Sequence, residues 1–216
     1  MNDNRVRNVL GFYVLCNRLK DVVRTGWKAW NVERERLESV AEHIYSTQML
    51  AIAMHKEFDY DLDLEKIIYM LAVHELEEII IGDLTSYDIS REEKERRGKL
   101  AVKDVLKNIS NSLDVEALTI EFSEKKTNEA LFAYYCDKLD CDIQAKIYDE
   151  EGCVDLNKQT NNPYINIDRV SRLIENNKKW SEAWIESDRN IYLNDDNFLS
   201  ILDYIKDNNI LNYHKN

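Results

Sequence analysis

Apolar side chains recur along most of the chain at the spacing of three and four residues that is typical of amphipathic helices. The predicted helices cover 5–23, 40–58, 64–82, 91–109, 112–124, 128–149, 167–187 and 195–208. The sequence contains 5 glycines and 1 proline, and so few turn-forming residues disfavour a many-stranded sheet. The pattern therefore predicts an all-α fold.

Local signals mark where several of these helices begin and end. Ser39 and Glu42 have the spacing of a capping box, in which the two side chains satisfy the first backbone N–H groups of a helix. Ser90 and Glu93 repeat this spacing further along the chain. Gly82 follows the third predicted helix, and glycine is common directly after a helix end.

The length and composition favour one domain. A chain of 216 residues, of which 44% are hydrophobic, can bury one substantial core but is short for two domains. We find no internal repeat and no linker. We therefore expect a single compact helical bundle over 1–216, with a motif-bearing core at 5–150 and a C-terminal helical extension at 151–216.

The formal net charge of −12 restricts the partners. A surface this acidic repels nucleic acids and anionic membranes, so we expect neither as a partner. A small phosphorylated substrate remains compatible, because a bound cation can reverse the sign of the local field. The N-terminal apolar stretch is interrupted by charges, so we expect neither a signal peptide nor a membrane span there. The four cysteines form no C-x-x-C pair and indicate reduced thiols, so we expect a cytoplasmic protein.

Two of the four histidines lie in apolar stretches of predicted helices. His43 lies early in the second helix and His74 deep in the third, where a buried imidazole needs a partner such as a metal ion. Glu75 follows His74 directly, and Asp137 lies among apolar and aromatic neighbours in a later helix. Mixed imidazole and carboxylate ligands suit Mn²⁺, Co²⁺, Fe²⁺, Ni²⁺ or Zn²⁺ more than Ca²⁺. We therefore predict that these four residues bind one divalent transition metal ion.

Four segments of the chain resemble the HD-domain metal-dependent phosphohydrolases, and within them the 5′-deoxynucleotidase-like branch. They are RTGW at 24–27, ESVAEH at 38–43, HELEEIIIGD at 74–83 and CDKLDCDIQA at 136–145. One position departs from the family pattern, because the aspartate that follows the second histidine is Glu75 here. Glutamate can still bind a metal, although its extra methylene group shifts the ion or the backbone.

The resemblance also implies roles for four residues beyond the metal ligands. Glu78 and Asp83 match the acid/base carboxylates of the branch, and Glu78 lies one helical turn after His74, on the same face. Arg24 and Trp27 match positions that contact the substrate. An arginine can bind a phosphate group in a bidentate manner, and an indole can pack on a sugar or a base.

The function implied by the resemblance is metal-dependent removal of phosphate from a small phosphomonoester, namely a (deoxy)nucleoside 5′-monophosphate. One alternative is a degenerate HD-domain protein that binds or senses a nucleotide without turnover, which the change to Glu75 would explain. Another alternative is a two-metal enzyme of the same superfamily. Such sites need further histidines, and the sequence has none between His74 and Asp137.

The sequence is also compatible with a homodimer. The predicted helices are long and amphipathic, and several aromatic side chains have a pattern that leaves them exposed. These side chains are Tyr134, Tyr135, Trp180 and Trp184.

Overall fold

The structure is a computed structural model that describes residues 3–85, 88–159, 162–166, 168–176 and 179–212. Its α-helices are α1 (Asp3–Cys16), α2 (Thr25–Ala29), α3 (Val40–Glu57), α4 (Leu64–Val73), α5 (Glu78–Ile81), α6 (Arg91–Leu106), α7 (Leu113–Glu124), α8 (Asn128–Glu150), α9 (Asp168–Asn176), α10 (Trp180–Asp188) and α11 (Asp196–Asp207). Short 3₁₀ turns lie at Asn17–Lys20, Leu156–Lys158, Pro163–Asn166 and Arg189–Tyr192. Within the described ranges the extended pairing is one isolated bridge, between Val23 and Ser39. The prediction of an all-α fold is confirmed.

The capping box at the start of α3 forms as the sequence predicts. The backbone N–H of Glu42 donates to Ser39 Oγ at 3.3 Å, and the backbone N–H of Ser39 donates to Glu42 Oε2 at 2.9 Å. Gly82 ends α5 with a φ of 74°, a left-handed conformation that glycine adopts without steric cost. These signals fix the ends of the two segments that carry His43 and Glu78.

The continuous helix predicted over 64–82 is wrong. The chain instead forms α4 and α5, with tight turns between them. Leu76 N donates to Val73 O at 3.2 Å and Glu78 N donates to Glu75 O at 3.1 Å, so these bonds reach three residues back instead of four. A backbone with three-residue bonds winds more tightly than an α-helix and turns its side chains in different directions. Apolar spacing cannot separate the two cases, because both windings favour contacts three residues apart.

Three other boundaries differ from the prediction. The first helix ends at Cys16 and continues as a 3₁₀ turn, and the segment predicted as a loop after residue 23 contains α2. The segment 167–187 divides into α9 and α10.

The chain divides into two compact units. The first contains Met1–Thr25 and Glu38–Tyr134, and the second contains Gly26–Leu37 and Tyr135–Asn216. The predicted single domain with a boundary at residue 150 stays a prediction. A buried cluster in the first unit comes from the first 3₁₀ turn, α3, α4, α5 and α6, together with the turns after α4. It consists of Leu19, Val40, Val73, Leu76, Ile79, Val102, Val105 and Leu106.

The second unit has an aromatic core. Its buried members are Trp27, Trp30, Val32, Ala145, Tyr148, Cys153 and Trp180. Trp180 is 1% exposed and Tyr135 is 5% exposed, so the expectation that these two aromatics are exposed is wrong. They cannot support the predicted homodimer. The four cysteines are free thiols. No helix in the described part of the chain is both long enough and apolar enough to cross a bilayer.

Candidate metal centre

Two histidines from different helical segments lie together in the first unit. His43, near the start of α3, is fully buried, and His74, directly after α4, is 4% exposed. Their ring centroids are 5.5 Å apart. His74 Nδ1 lies 2.7 Å from the carbonyl oxygen of Leu71. Because a carbonyl oxygen only accepts, Nδ1 of the neutral ring carries the proton and Nε2 keeps its lone pair.

Glu75 brings a carboxylate to the same place. Its Oε1 lies 3.6 Å from His74 Nε2 and 3.9 Å from His43 Nε2. One ligand atom from each of these three residues lies within 4.8 Å of the others. The tight turns after α4 give His74 and Glu75 side-chain directions that allow both to reach this point, although they are neighbours in sequence.

The chemistry of these donors fits a metal ion. The Nε2 lone pair of His74 faces Glu75 Oε1, so two electron-pair donors approach each other in a largely buried place. Such an arrangement is unfavourable until a proton or a cation lies between the two atoms. Two imidazoles and a carboxylate are ligands that divalent transition metals prefer, and the hydrogen bond from Nδ1 to Leu71 is the support that ligating histidines usually have.

Arg24 brings positive charge to the edge of this cluster. Its Nη1 lies 3.5 Å from Glu75 Oε1, and its side chain is 13% exposed. The backbone holds it in place, because Arg24 N donates to Glu38 O at 3.1 Å. A partly exposed guanidinium beside the ligand cluster can receive an anionic group from solvent.

Asp83 lies next to Arg24 in space although it is far away in sequence. Thr25 N donates to Asp83 Oδ2, and Thr25 Oγ1 donates to the backbone oxygen of Asp83, both at 2.6 Å. These two bonds join the first residue of α2 to the loop after α5. Arg24 and Asp83, which the sequence predicts as functional residues, are therefore brought together.

Glu78 is a buried carboxyl group beside the cluster. It is 2% exposed, and its Oε1 lies 3.7 Å from Lys94 Nζ. Burial, followed by the negative charges of Glu75 and Asp83, raises the pKa of Glu78 to about 10. The pKa of Glu77 is also raised, to about 7, by burial and by Glu75. In this part of the unit, the buried carboxyl groups therefore outnumber the cationic side chains near them.

Lys94 is a residue that the sequence reading missed. It belongs to α6, and besides approaching Glu78 it donates to Leu84 O at 2.7 Å. It lies within the charged run REEKERR at 91–97, in which four of the seven residues are basic, so no local signal separates it from the other charges around it.

Asp137 and Trp27 belong to the second unit. Asp137 lies on α8, is 5% exposed, and has Lys138 Nζ at 3.0 Å from its Oδ2. Trp27 is 2% exposed, and its ring centroid lies 5.3 Å from those of Tyr148 and Trp184. Other rings therefore cover most of the Trp27 indole, and its substrate contact stays a prediction, as does metal binding by Asp137.

The helical fold and the cluster of two histidines with a carboxylate are the features by which the family of this protein can be recognised. The family model described as HD domain matches residues 16–183, and the chain belongs to this family. The resemblance that the sequence motifs predicted is confirmed.

Curated relatives carry the same name in several organisms. The protein named 5′-deoxynucleotidase HDDC2 from Dictyostelium discoideum is 35% identical over 152 residues, which cover 67% of this chain and 79% of that protein. The protein of the same name from Homo sapiens is 32% identical over 147 residues, covering 67% of this chain and 70% of its own length. A third relative, 5′-deoxynucleotidase hdd1 from Schizosaccharomyces pombe, is 28% identical over 158 residues, with coverages of 70% and 77%.

Solved structures share the fold. A conserved hypothetical protein from Pyrococcus furiosus is 31% identical, with a TM-score of 0.56, and the match covers 66% of this chain and 83% of that one. A protein from Pyrococcus horikoshii, 22% identical, has a TM-score of 0.61 and coverages of 92% and 98%. A predicted metal-dependent phosphohydrolase from Magnetospirillum magnetotacticum, 22% identical, has a TM-score of 0.57 and coverages of 68% and 74%.

Proposed function

We propose that this chain is a metal-dependent phosphohydrolase that removes phosphate from a (deoxy)nucleoside 5′-monophosphate. The observation that carries the proposal is the meeting of His43, His74 and Glu75 within 4.8 Å, with the Arg24 guanidinium beside them. The curated relatives named 5′-deoxynucleotidase support the substrate class. The chain matches more than two thirds of the length of each, so the likeness extends over most of those enzymes.

We assign four ligands to one divalent transition metal ion. His43, His74 and Glu75 supply two nitrogens and one oxygen, and Asp137 is the fourth ligand. Its support is the family motif on α8 together with its chemistry, because a carboxylate that is 5% exposed favours cations around it, and an ion would add to the Lys138 ammonium group already 3.0 Å away. When bound, an ion of this class lowers the pKa of a coordinated water and offsets negative charge on a phosphoryl oxygen.

The protein's own residues supply positioning and proton transfer. Arg24 binds phosphoryl oxygens of the substrate through its guanidinium group. Glu78 and Asp83 form the acid/base pair, in which one carboxyl group orients the attacking water and the other protonates the leaving 5′-oxygen. Lys94 holds Glu78 in position through the 3.7 Å contact, and the two Thr25 bonds hold Asp83.

A phosphate-release assay tests the proposal. Purified protein is given a panel of ribo- and deoxyribonucleoside 5′-monophosphates with Mg²⁺, Mn²⁺, Co²⁺ or Zn²⁺ in turn. We expect metal-dependent release that favours one sugar or base, and no release from the His74→Ala variant. The panel also identifies the preferred ion.

The competing function is nucleotide binding without turnover, for which the departure at Glu75 is the reason. If the folded protein released no phosphate with any ion but gained thermal stability with a nucleotide, the binding function would be favoured over the enzymatic one. The Glu75→Asp variant, which restores the family residue, separates the two cases, because a degenerate site would then regain activity. The cytoplasmic location and the homodimer stay predictions.

A further inference from the structure

A cavity of the first unit has lining residues that differ from those of the candidate metal centre. It has a volume of about 350 Å³ and is lined by α1, the 3₁₀ turn that follows it, α5 and α6, with residues just after α6. None of its described lining residues is a proposed metal ligand or a member of the acid/base pair. The volume is at the lower end of the range for small-molecule sites.

The rim of this cavity is basic, although the chain as a whole is acidic. Arg7, Arg18 and Lys107 line it, against the single acid Asp104. Asp104 is already paired, because its Oδ1 lies 2.8 Å from Lys107 Nζ. Across the described residues, no carboxylate lies within ion-pair distance of Arg7 or Arg18. Two guanidinium groups without acidic partners are therefore available to an anion.

The basic rim continues a local excess of positive charge. Residues 3–20 contain four basic side chains and one acidic side chain, in a protein with a net charge of −12. Since most of the remaining surface repels anions, this segment is a place where an anion can approach at lower electrostatic cost.

The floor of the cavity is apolar and open. Phe12, Leu15 and Ile80 line it, and Ile80 is 46% exposed. At Gly11, a Cβ atom would meet no heavy atom within 4 Å, so a larger side chain there would enter free space along the cavity wall. A ligand with a small apolar body can use this floor while its charged group lies at the rim.

We propose that this cavity binds a phosphoryl-bearing small molecule, at a site separate from the metal centre. The phosphoryl group is held by Arg7 and Arg18, whose planar guanidinium groups match its oxygens, and the amides of Asn8 and Asn108 offer further donors. The organic part of the molecule packs on the apolar floor. The proposal is independent of the enzymatic activity proposed above.

Calorimetric titration of the metal-free protein in EDTA tests this proposal, because turnover is then absent. The probes are phenyl phosphate and inorganic phosphate. The test variant Arg7→Ala/Arg18→Ala removes both guanidinium groups, and Arg5→Ala/Lys20→Ala removes the same charge from the same segment outside the cavity. We expect the test variant to weaken binding about tenfold or more and the control to change it much less, because charged hydrogen bonds are lost only in the former.

Two further variants locate the site. Gly11→Leu fills the cavity and should weaken phenyl phosphate more than inorganic phosphate. Tighter binding of phenyl phosphate than of inorganic phosphate supports an organic phosphate as the ligand, and equal binding supports the phosphate group alone. The proposal is overturned if neither probe binds, if both double variants lose binding equally, or if only Arg24→Ala abolishes it, since binding would then belong to the metal centre.

Discussion

The two units bury polar groups in different ways. In the second unit, Ser181 is fully buried, and both its N–H and its hydroxyl group donate to Asp149 Oδ2, at 3.0 Å and 2.6 Å. Lys146, 1% exposed, has its ammonium group 3.2 Å from Glu150 Oε1. Each of these donors meets an acceptor within the protein, so these buried polar groups are satisfied without a ligand.

The candidate metal centre of the first unit lacks this balance. His74 Nε2 and Glu75 Oε1 are acceptors that face each other, and Glu78 adds a carboxyl group whose pKa is raised by its burial. A cation at this place would bind these acceptors and remove their unfavourable approach to each other. The comparison teaches that equal burial has opposite meanings, because satisfied polar groups stabilise a fold whereas convergent acceptors indicate a binding site.

The strongest test of this contrast is His74→Ala. Removing one imidazole should abolish stoichiometric metal binding and lower phosphate release about a thousandfold or more, since a catalytic metal supplies several kcal/mol of transition-state stabilisation. Metal content by mass spectrometry and the phosphate-release rate measure the two effects. His55→Ala is the matched control, because His55 is a half-buried histidine of α3 whose Nε2 lies 2.9 Å from Leu62 O. Equal losses in both variants would mean that the contrast is wrong.

Glu78→Gln should have the next largest effect. The amide keeps the size of the side chain but cannot transfer a proton in the same way, so the rate of phosphate release should fall about a hundredfold to ten-thousandfold. Metal content should stay unchanged, because Glu78 is not a proposed ligand. Glu77→Gln is the control, since Glu77 is also partly buried and its side chain packs near Gly98 of α6. Full activity of the Glu78 variant would remove Glu78 from the proposed acid/base pair.

The contrast also separates what the sequence could predict from what it could not. The burial of His43 and His74 followed from apolar neighbours at helical spacing, and the start of α3 followed from Ser39 and Glu42, which are local signals. The link between Thr25 and Asp83 spans 58 residues and depends on tertiary packing, which no local pattern encodes. For the same reason, sequence position alone could not show that Lys94 approaches Glu78.

Aromatic residues illustrate a second limit. Trp27 lies in a polar segment between predicted helices, where a tryptophan can either contact a ligand or cover the core, and the sequence does not decide between the two. The structure buries it to 2% exposure, with Trp180 and Trp184 supplied by α10, more than 150 residues later. Burial of a residue in a short segment such as α2 depends on which distant segment covers it, and periodicity carries no information about that partner.

A smaller effect is expected from Asp149→Ala in the second unit. Asp149 lies on α8 and accepts from the first turn of α10. The change leaves the buried Ser181 hydroxyl group without its acceptor and takes away the negative charge beside the start of α10. The free energy of unfolding should fall by about 2 kcal/mol. Urea unfolding with and without Mn²⁺ measures this loss, which should be the same in both conditions. A loss that appeared only with the metal present would show that the pairing of Ser181 with Asp149 depends on the ion.

The fourth expected effect is on the pH dependence of stability and concerns Asp142, also in the second unit. Its carboxyl group is fully buried and accepts a hydrogen bond from Tyr192 Oη at 2.7 Å. Burial, followed by the nearby Asp188 carboxylate, raises the pKa of Asp142 well above its usual range, against the weaker opposing effects of Tyr192 and Lys138. The folded protein therefore binds a proton more tightly than the unfolded chain does, and stability is lost as the pH rises through the range between the two pKa values.

Asp142→Asn removes this titration, since an amide stays neutral. Relative to the unchanged protein, the variant should become more stable as the pH rises from about 5 to about 8. Each tenfold difference in the proton affinity of Asp142 between the folded and unfolded states contributes about 1.4 kcal/mol to this gain. Urea unfolding across this pH range measures the difference in unfolding free energy between the two proteins. The effects of the other titrating groups cancel in this difference. A difference that stayed constant with pH would mean that Asp142 is charged in the folded protein. The second unit would then contain a further buried carboxylate, besides Asp137, that needs cationic partners, and the contrast between the units would be weaker.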